Sequence, residues 1–322
     1  MLADTFVPLV LTTRSDHQES VHFGAVVAIG RDGSLAFAAG DPTVEIYPRS
    51  SNKPLQATAM VDLGLSLPSD LLALACASHD GLPIHLDGAR RILATAGLDE
   101  SALQNTAGLP LDEHEAEAVL RAGGGRTSLQ MNCSGKHAAM IATCVINGWS
   151  IDSYLDPTHP LQQAITDRLP GMIGERVAHI GLDGCGAPAH VMTLHALARA
   201  FRNIATGGAG AAGEQIHAAM TAHPEMVGGP RRDVTRFMQH VPGLIAKDGA
   251  DGVFAAALAD GRAVAIKIAD GANRARPPVM VAALGALGVD TSEVAPLVRQ
   301  RVMSHGREVG EVLVITSFGG EG

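Results

Sequence analysis

The sequence predicts an α/β (α+β) protein, in which both ends of the chain build one antiparallel sheet and a helical subdomain is inserted between them. Two hairpin signals support this. In residues 20–41, two β-rich runs flank Arg31-Asp32-Gly33, and Asp-Gly is a strong hairpin turn. Towards the other end, runs at 252–258 and 262–268 flank Ala259-Asp260-Gly261. Helical patterns fill the middle, so the chain alternates by region rather than strand by strand.

The remaining elements follow from local patterns. Residues 6–12 predict a first strand and 311–317 a last one. A helix is predicted from Lys53-Pro54 to about Leu65, because proline is tolerated in a first helical turn. The glycine-rich stretch 206–213 predicts a flexible loop. Further helices are predicted at 68–76, 84–97, 112–121, 135–147, 159–168, 188–202, 213–222 and 277–287.

These elements predict one folding unit over residues 1–322. Its sheet subdomain comprises about 1–48 and 248–322, and its helical subdomain about 49–247. With 46% hydrophobic residues, the chain has enough apolar material for such a core.

Composition excludes several classes of function. A formal net charge of −9 opposes binding to a phosphate backbone, and 3% aromatic residues argue against base-stacking platforms. No apolar run approaches the ~18 residues that span a bilayer. The first residues lack the basic region and cleavage site of a signal peptide. We therefore expect a cytoplasmic protein without nucleic-acid or membrane partners, whose four cysteines stay reduced.

A Ser-x-x-Lys spacing joins Ser50 and Lys53 at the start of the first predicted helix. Residues three apart lie on one helix face, and a serine hydroxyl needs a base to become a nucleophile. Lysine serves as that base if burial or a neighbouring cation such as Arg49 lowers its pKa. The alternative is an ordinary helix start, with Ser50 as a cap and Lys53 solvated.

Two further segments contain reactive residue types beside predicted helix or strand ends. Cys76-Ala77-Ser78-His79-Asp80-Gly81 follows an apolar helix, and its alternative is a helix end with an incidental Ser-His pair. Asp183 and Cys185 follow a predicted strand, and with Cys133 they offer the mixture of soft and hard ligands that zinc accepts. The alternative for Cys133 is a small buried hydrophobic residue.

Six separated segments, taken together, resemble the rhizobial-type (class 3) L-asparaginases, also called the Asparaginase II family. The segments are Arg49-Ser50-x-x-Lys53-Pro54, Cys76-Ala77-Ser78-His79, Cys133-Ser134-Gly135-Lys136-His137, Asp183-Gly184-Cys185, His223-Pro224-Glu225-Met226-Val227 and Lys267-Ile268-x-Asp270-Gly271. They occur in the same order as in the family and span most of the chain.

The resemblance implies a serine-β-lactamase-like fold, a homodimer and hydrolysis of L-asparagine to L-aspartate and ammonia. It implies two Ser–Lys pairs, a zinc site and a substrate-binding group beside them. The residues concerned are Ser50 with Lys53 and Ser78 with Lys267 for catalysis, and Cys133, Lys136, Asp183 and Cys185 for zinc. Arg49 and His137 are candidates for binding the substrate.

The mechanism is a hypothesis at this stage. Ser50 is the expected nucleophile and Ser78 the rival, with Lys53 as the base. Two alternatives to an asparaginase stay open. One is a serine-dependent glutaminase on the same fold, since one methylene separates the substrates. The other is a non-catalytic binding protein stabilised by zinc, which would unfold when the metal is removed.

Overall fold

The computed structural model describes residues 5–319, and its strands form two antiparallel sheets. The eight-stranded sheet has the order β10-β11-β1-β2-β9-β8-β7, and β3 pairs with β2 beside this path. The three-stranded sheet has the order β4-β6-β5. The strands are β1 Val7–Arg14, β2 His17–Ile29, β3 Leu35–Ala39, β4 Glu45–Ile46, β5 His179–Leu182, β6 Pro188–Thr193, β7 Leu244–Gly249, β8 Val253–Leu258, β9 Ala263–Ile268, β10 Arg301–Ser304 and β11 Arg307–Val314.

Helices occupy most of the chain between β4 and β7. A short 3₁₀ helix, Arg49–Asn52, leads directly into the first α-helix. The α-helices are α1 Lys53–Asp62, α2 Ser69–Ala75, α3 Pro83–Thr95, α4 Glu113–Arg121, α5 Ser134–Ile146, α6 Pro160–Ile173, α7 Leu194–Ala205, α8 Gly210–Ala222, α9 Pro224–Val227, α10 Asp233–His240, α11 Arg276–Ala286 and α12 Ala295–Val298. No helix in the described part of the chain is long and apolar enough to cross a membrane.

The central strands of the large sheet are covered by helices. Every residue of β7 and β8 is buried, and α7 packs against β2, β8 and β9 while α11 packs against β9 and β11. A strand covered in this way needs apolar side chains at successive positions, which explains the run Val253-Phe-Ala-Ala-Ala-Leu258. The helices that carry the candidate site are joined to the same core.

The predicted fold class is confirmed. The large sheet is antiparallel and takes its strands from both ends of the chain, and the helices lie between these ends in sequence. Both predicted hairpins are present, one joining β2 to β3 and one joining β8 to β9. Gly33 and Gly261, in these two turns, have φ values of 85° and 96°, a conformation that favours glycine.

Several element predictions were wrong. Residues 188–202 do not form one helix: Pro188 begins β6, which pairs with β5, and α7 starts only at Leu194. Proline is compatible with the first residue of a strand as well as of a helix. Thr193 ends the strand, and its Oγ1 accepts the Ala196 backbone N–H at 3.1 Å, which caps α7. Within the predicted loop 206–213, α8 already begins at Gly210.

Strands β7 and β10 were not predicted, because charged residues interrupt their apolar patterns. β7 contains Lys247 and Asp248, and β10 begins at Arg301. The turn between β1 and β2 was also missed. Ser15 and Asp16 there both have positive φ, as a two-residue hairpin requires, without the glycine that normally marks it.

Gly24, in β2, provides a test of the central packing. An added Cβ would lie 2.5 Å from the Lys267 carbonyl oxygen and 2.7 Å from Leu9 Cδ1. We expect Gly24→Ala to lower the free energy of unfolding by about 1–3 kcal/mol through overpacking. Gly171→Ala is the control, since a Cβ there meets nothing within 4 Å. In α6 it should be neutral or stabilise by up to about 1 kcal/mol. Urea unfolding measures both, and equal effects would contradict the packing described for Gly24.

Candidate active site

Four segments that are distant in sequence meet around a small pocket. They are the 3₁₀ turn before α1, the start of α5, the loop after β5 and the first half of β6. The residues lining the pocket are Pro48, Arg49, Ser50, Asn52, Lys53, Gln56, Lys136, Asp183, Pro188, Ala189 and His190. The space accessible to solvent inside it is only about 10 Å³, so an amino-acid ligand requires lining side chains to move, and the lining supplies both cations and amides to bind one.

Arg49 and Ser50 form one wall of this pocket. Arg49 has a φ of 52°, which is costly for a residue with a side chain. Its guanidinium donates to Asp183 Oδ1 at 2.9 Å and is also bonded to Asp251. Ser50 is half-buried, and its Oγ makes no hydrogen bond within residues 5–319. The hydroxyl is therefore available to a ligand in the pocket.

Lys53 is buried beneath the pocket, and it pairs with Ser78. Its Nζ donates to Ser78 Oγ at 3.0 Å and to the Ala77 carbonyl at 2.5 Å. Burial, opposed by Cys133 and Cys185 and assisted by Lys247 and Lys136, lowers the pKa of Lys53 to about 8. A lysine with this pKa is neutral in about a tenth of molecules at pH 7 and in about half at pH 8, and only the neutral form can act as a general base.

Lys267, the predicted partner of Ser78, has a different contact. Its Nζ donates to the backbone carbonyl of Asp251, the residue whose carboxylate also pairs with Arg49. Within the described chain it makes no hydrogen bond to Ser78. Burial, as the largest cause, lowers the pKa of Lys267. The structure therefore brings Ser50, Lys53 and Ser78 together and places Lys267 on the Arg49 side of the pocket.

A second cluster lies directly behind Lys136. The Sγ atoms of Cys133 and Cys185 and a ring nitrogen of His137 all lie within 4.8 Å of one another, and all three residues are buried. Lys136 Nζ donates to Cys185 Sγ at 3.3 Å. The Tyr154 hydroxyl bonds His137 Nδ1 at 2.9 Å, whereas His137 Nε2 is buried without a partner. An unpartnered buried nitrogen beside two sulfurs is what a soft metal ion would satisfy.

The electrostatics of this cluster also fit a metal. A hydrogen bond from Cys133 and the charge of Lys136 hold the pKa of Cys185 far below its usual range, which favours the thiolate form. Burial raises the pKa of Cys133 well above its usual value. Burial lowers the pKa of His137 to about 4, so its imidazole is neutral. A thiolate and a neutral imidazole are ready ligands for zinc.

The predicted zinc ligands, which also include Lys136, overlap this cluster only in part. Cys133 and Cys185 belong to both, while His137, predicted to bind substrate, lies with the sulfurs. Asp183 Oδ1 accepts instead from Arg49 and from the Gly184 backbone N–H. Arg49, which bonds Asp183, and Lys136, which bonds Cys185, both line the pocket. Lys136 thus connects the sulfur cluster to the pocket.

Sequence reasoning missed a buried ionic network on the other side of Lys53. Lys247 is fully buried, and its Nζ donates to both the carbonyl and the Oδ1 of Asp248. Arg232 bonds Asp248 Oδ2 at 2.5 Å and Asp80 Oδ1 at 3.1 Å, which ties β7 to the segment after Ser78. Burial alone would raise the pKa of Asp248, but Lys247 and Arg232 hold it well below its usual value. The sequence signal for this network is the adjacent pair Lys247-Asp248 inside a β-rich run.

His79, adjacent to Ser78 in sequence, does not act on that serine. Its Nδ1 accepts the Gly81 backbone N–H at 3.1 Å, and its Nε2 bonds Ser134 Oγ at 2.9 Å. Burial holds the pKa of His79 well below its usual value, so the ring is neutral. It joins the Ser78 segment to the start of α5, which is a positioning role.

Comparison with known proteins gives one family. Residues 10–314 match the model of the family described as L-asparaginase II. No curated protein matches the chain.

Solved structures that resemble the chain do so distantly. Mglu in its native form is 16% identical, with a TM-score of 0.37, over 85% of this chain and 63% of its own. A β-lactamase from Mycobacterium bovis is 15% identical, with a TM-score of 0.36, over 82% and 94%. Bacillus glutaminase is 12% identical, with a TM-score of 0.34, over 78% and 84%. The chain thus spans less than two thirds of Mglu.

Proposed function

Because the chain belongs to the L-asparaginase II family, we propose that it hydrolyses L-asparagine to L-aspartate and ammonia with a serine nucleophile and a lysine base. Family membership supports an amidohydrolase acting on a small amide. The choice of asparagine and the Ser–Lys mechanism are the proposed part. The observation that carries them is the buried Lys53, whose Nζ lies 3.0 Å from Ser78 Oγ at the base of a pocket lined by Ser50.

Ser50 is the proposed nucleophile and Ser78 the group that passes its proton to Lys53. Ser50 lines the pocket with a free hydroxyl, whereas Ser78 is only 5% exposed and is already bonded to Lys53. Attack of Ser50 Oγ on the side-chain amide carbon gives a tetrahedral oxyanion. Backbone N–H donors stabilise such an oxyanion by about 2.7–4 kcal/mol each in characterised hydrolases. Ammonia leaves with the proton, and water then cleaves the ester to aspartate.

The charged groups of the pocket would orient the substrate. Arg49 and Lys136 supply positive charge for an α-carboxylate, and Asp183 supplies negative charge for an α-amino group. Lys267 stays in the proposal as the second lysine. In this structure it bonds Asp251 next to Arg49, so a direct action on Ser78 requires that contact to change.

Zinc is the metal that the cluster fits. Cys133, His137 and Cys185 would hold it, and Lys136 could join only when neutral. When bound, zinc would supply a fixed positive charge behind the pocket. The residues of the chain itself would still bind the substrate and move the proton. The homodimer and the cytoplasmic location remain predictions.

Ammonia release tests the assignment directly. We expect release from L-asparagine and much less from L-glutamine, with zinc present. Ser50→Ala should reduce the rate by about 10⁴-fold or more, as loss of a hydrolase nucleophile does. Ser304→Ala, on the exposed strand β10, is the matched control and should leave the rate unchanged. Release from glutamine alone would make the protein a glutaminase, and an active Ser50→Ala variant would transfer the nucleophile role to Ser78.

The pH dependence tests Lys53. Because its pKa is lowered to about 8, the fraction of neutral base rises with pH through that value. We expect kcat/KM to rise with pH up to about 8 and then to level off. Lys53→Arg should remove activity at every pH in this range, because arginine stays protonated to about pH 12. A profile without this rise, or an active arginine variant, would exclude Lys53 as the base.

Metal removal separates the enzyme from a zinc-stabilised binding protein. We expect a chelator to raise KM for asparagine while the melting temperature changes little, because the surrounding helices have their own apolar core. Cys185→Ser should reduce bound zinc, measured by atomic emission, whereas Cys144→Ala, outside the cluster, should not. Unfolding on chelation would instead identify a structural metal site.

A further inference from the structure

A second pocket, separate from the candidate active site, is lined by six arginines. Its volume is about 310 Å³, and it lies where the start of α10 meets the segments before α11 and after α12. The arginines are Arg231, Arg232, Arg236, Arg274, Arg276 and Arg299, and Asp233 is the one carboxylate that lines the pocket with them. In a chain with a net charge of −9, such a concentration of positive charge requires an explanation.

Three of the arginines are compensated by carboxylates outside the lining. The pairs are Arg231 with Asp112, Arg232 with Asp80 and Asp248, and Arg299 with Glu308 and Glu311. These pairs leave the remaining three guanidiniums to be accounted for.

Arg236 and Arg274 have no carboxylate within 4 Å in residues 5–319. Arg236 donates to the Leu297 carbonyl. Arg274 donates to His22 Nε2 at 3.0 Å and to Ser20 Oγ at 3.3 Å. These contacts orient both guanidiniums. The His22 ring also bonds Asp270 Oδ2 at 2.6 Å, so Arg274 reaches a carboxylate only through that ring, and Arg236 is left without a charged partner among the described residues.

Arg276 is the third, and it is only 5% exposed. Its Nη1 donates to the Gly249 carbonyl at 2.8 Å, but its Nε is buried without a partner. The nearest carboxylate oxygens, of Asp233 and Asp248, lie 3.6 and 3.8 Å from its nitrogens. These distances exceed the length of about 2.7–2.9 Å of a charge-assisted hydrogen bond, so the two carboxylates balance the charge of Arg276 without using its Nε donor. A buried donor without a partner is unfavourable, and an anion in the pocket would satisfy it.

We propose that this pocket binds a small phosphorylated anion. Guanidinium groups bind phosphate through paired N–H donors, and a phosphoryl group accepts from several directions at once, as arginines from separate segments require. The pocket is larger than a phosphate ion, which leaves space for an organic remainder.

The proposed site contacts the network behind the candidate active site. Arg232 and Arg276 both approach Asp248, the partner of buried Lys247. An anion in the pocket competes with Asp248 for these guanidiniums, so the bound state alters the surroundings of Lys247. Binding itself does not depend on the proposed activity and is tested without it.

Calorimetric titration with inorganic phosphate at low salt tests the proposal. We expect saturable binding with a dissociation constant of about 1 mM or tighter, weakened by added salt. Arg236→Gln and Arg274→Gln should each weaken it about tenfold, since each removes one charge-assisted donor to the anion. Neither side chain has a carboxylate partner to leave unpaired, so both variants should fold, which circular dichroism verifies.

Two control variants locate the binding. Arg301→Gln, exposed on β10, and Arg49→Gln, in the first pocket, should leave phosphate affinity unchanged. The proposal is overturned if phosphate does not bind, or if Arg49→Gln abolishes binding while the Arg236 and Arg274 variants retain it. The latter result would place the anion in the candidate active site.

Discussion

The burial of the Lys53 ammonium group is the constraint on which the rest of the site depends. Taking a lysine out of water is unfavourable for its charged form, so the pKa falls and the side chain becomes able to accept a proton. The same burial requires hydrogen-bond acceptors nearby, which the Ala77 carbonyl and Ser78 provide. Burial of this one group thus fixes the position of residues 77–78 and provides a proton acceptor beside the Ser78 hydroxyl.

Two clusters of opposite character act on this lysine through their charges. In one, Cys133, His137 and Cys185 form a compact set of soft donors under Lys136. In the other, Lys247, Asp248 and Arg232 form an ionic network that joins the sheet to the segment after Ser78. Both clusters are buried and rich in hydrogen bonds, which gives a polar site defined positions within an otherwise apolar core.

Sequence patterns were sufficient for the fold class and for the residue types of the site, but not for their pairing. The spacing of Ser50 and Lys53 placed both on one turn, yet Lys53 bonds Ser78, whose backbone N–H donates to the distant Val227 carbonyl at 3.0 Å. His137 follows Lys136 on a helix, so local spacing cannot decide which of the two faces Cys185. Pro188 starts a strand because β5 is available to pair with it, which is a tertiary condition.

The strand order of the large sheet determines when, during synthesis, the fold that carries this site can form. β1 lies between β2 and β11, and Val10 is directly paired with Val314, near the other end of the chain. Such non-local pairing is slow, because the loop-closure entropy is lost before the contacts form. During synthesis, this edge of β1 stays unpaired until β11, about 300 residues later, has left the ribosome. Until then the nascent protein is exposed to edge-to-edge association, and a chaperone that covers β1 would protect it.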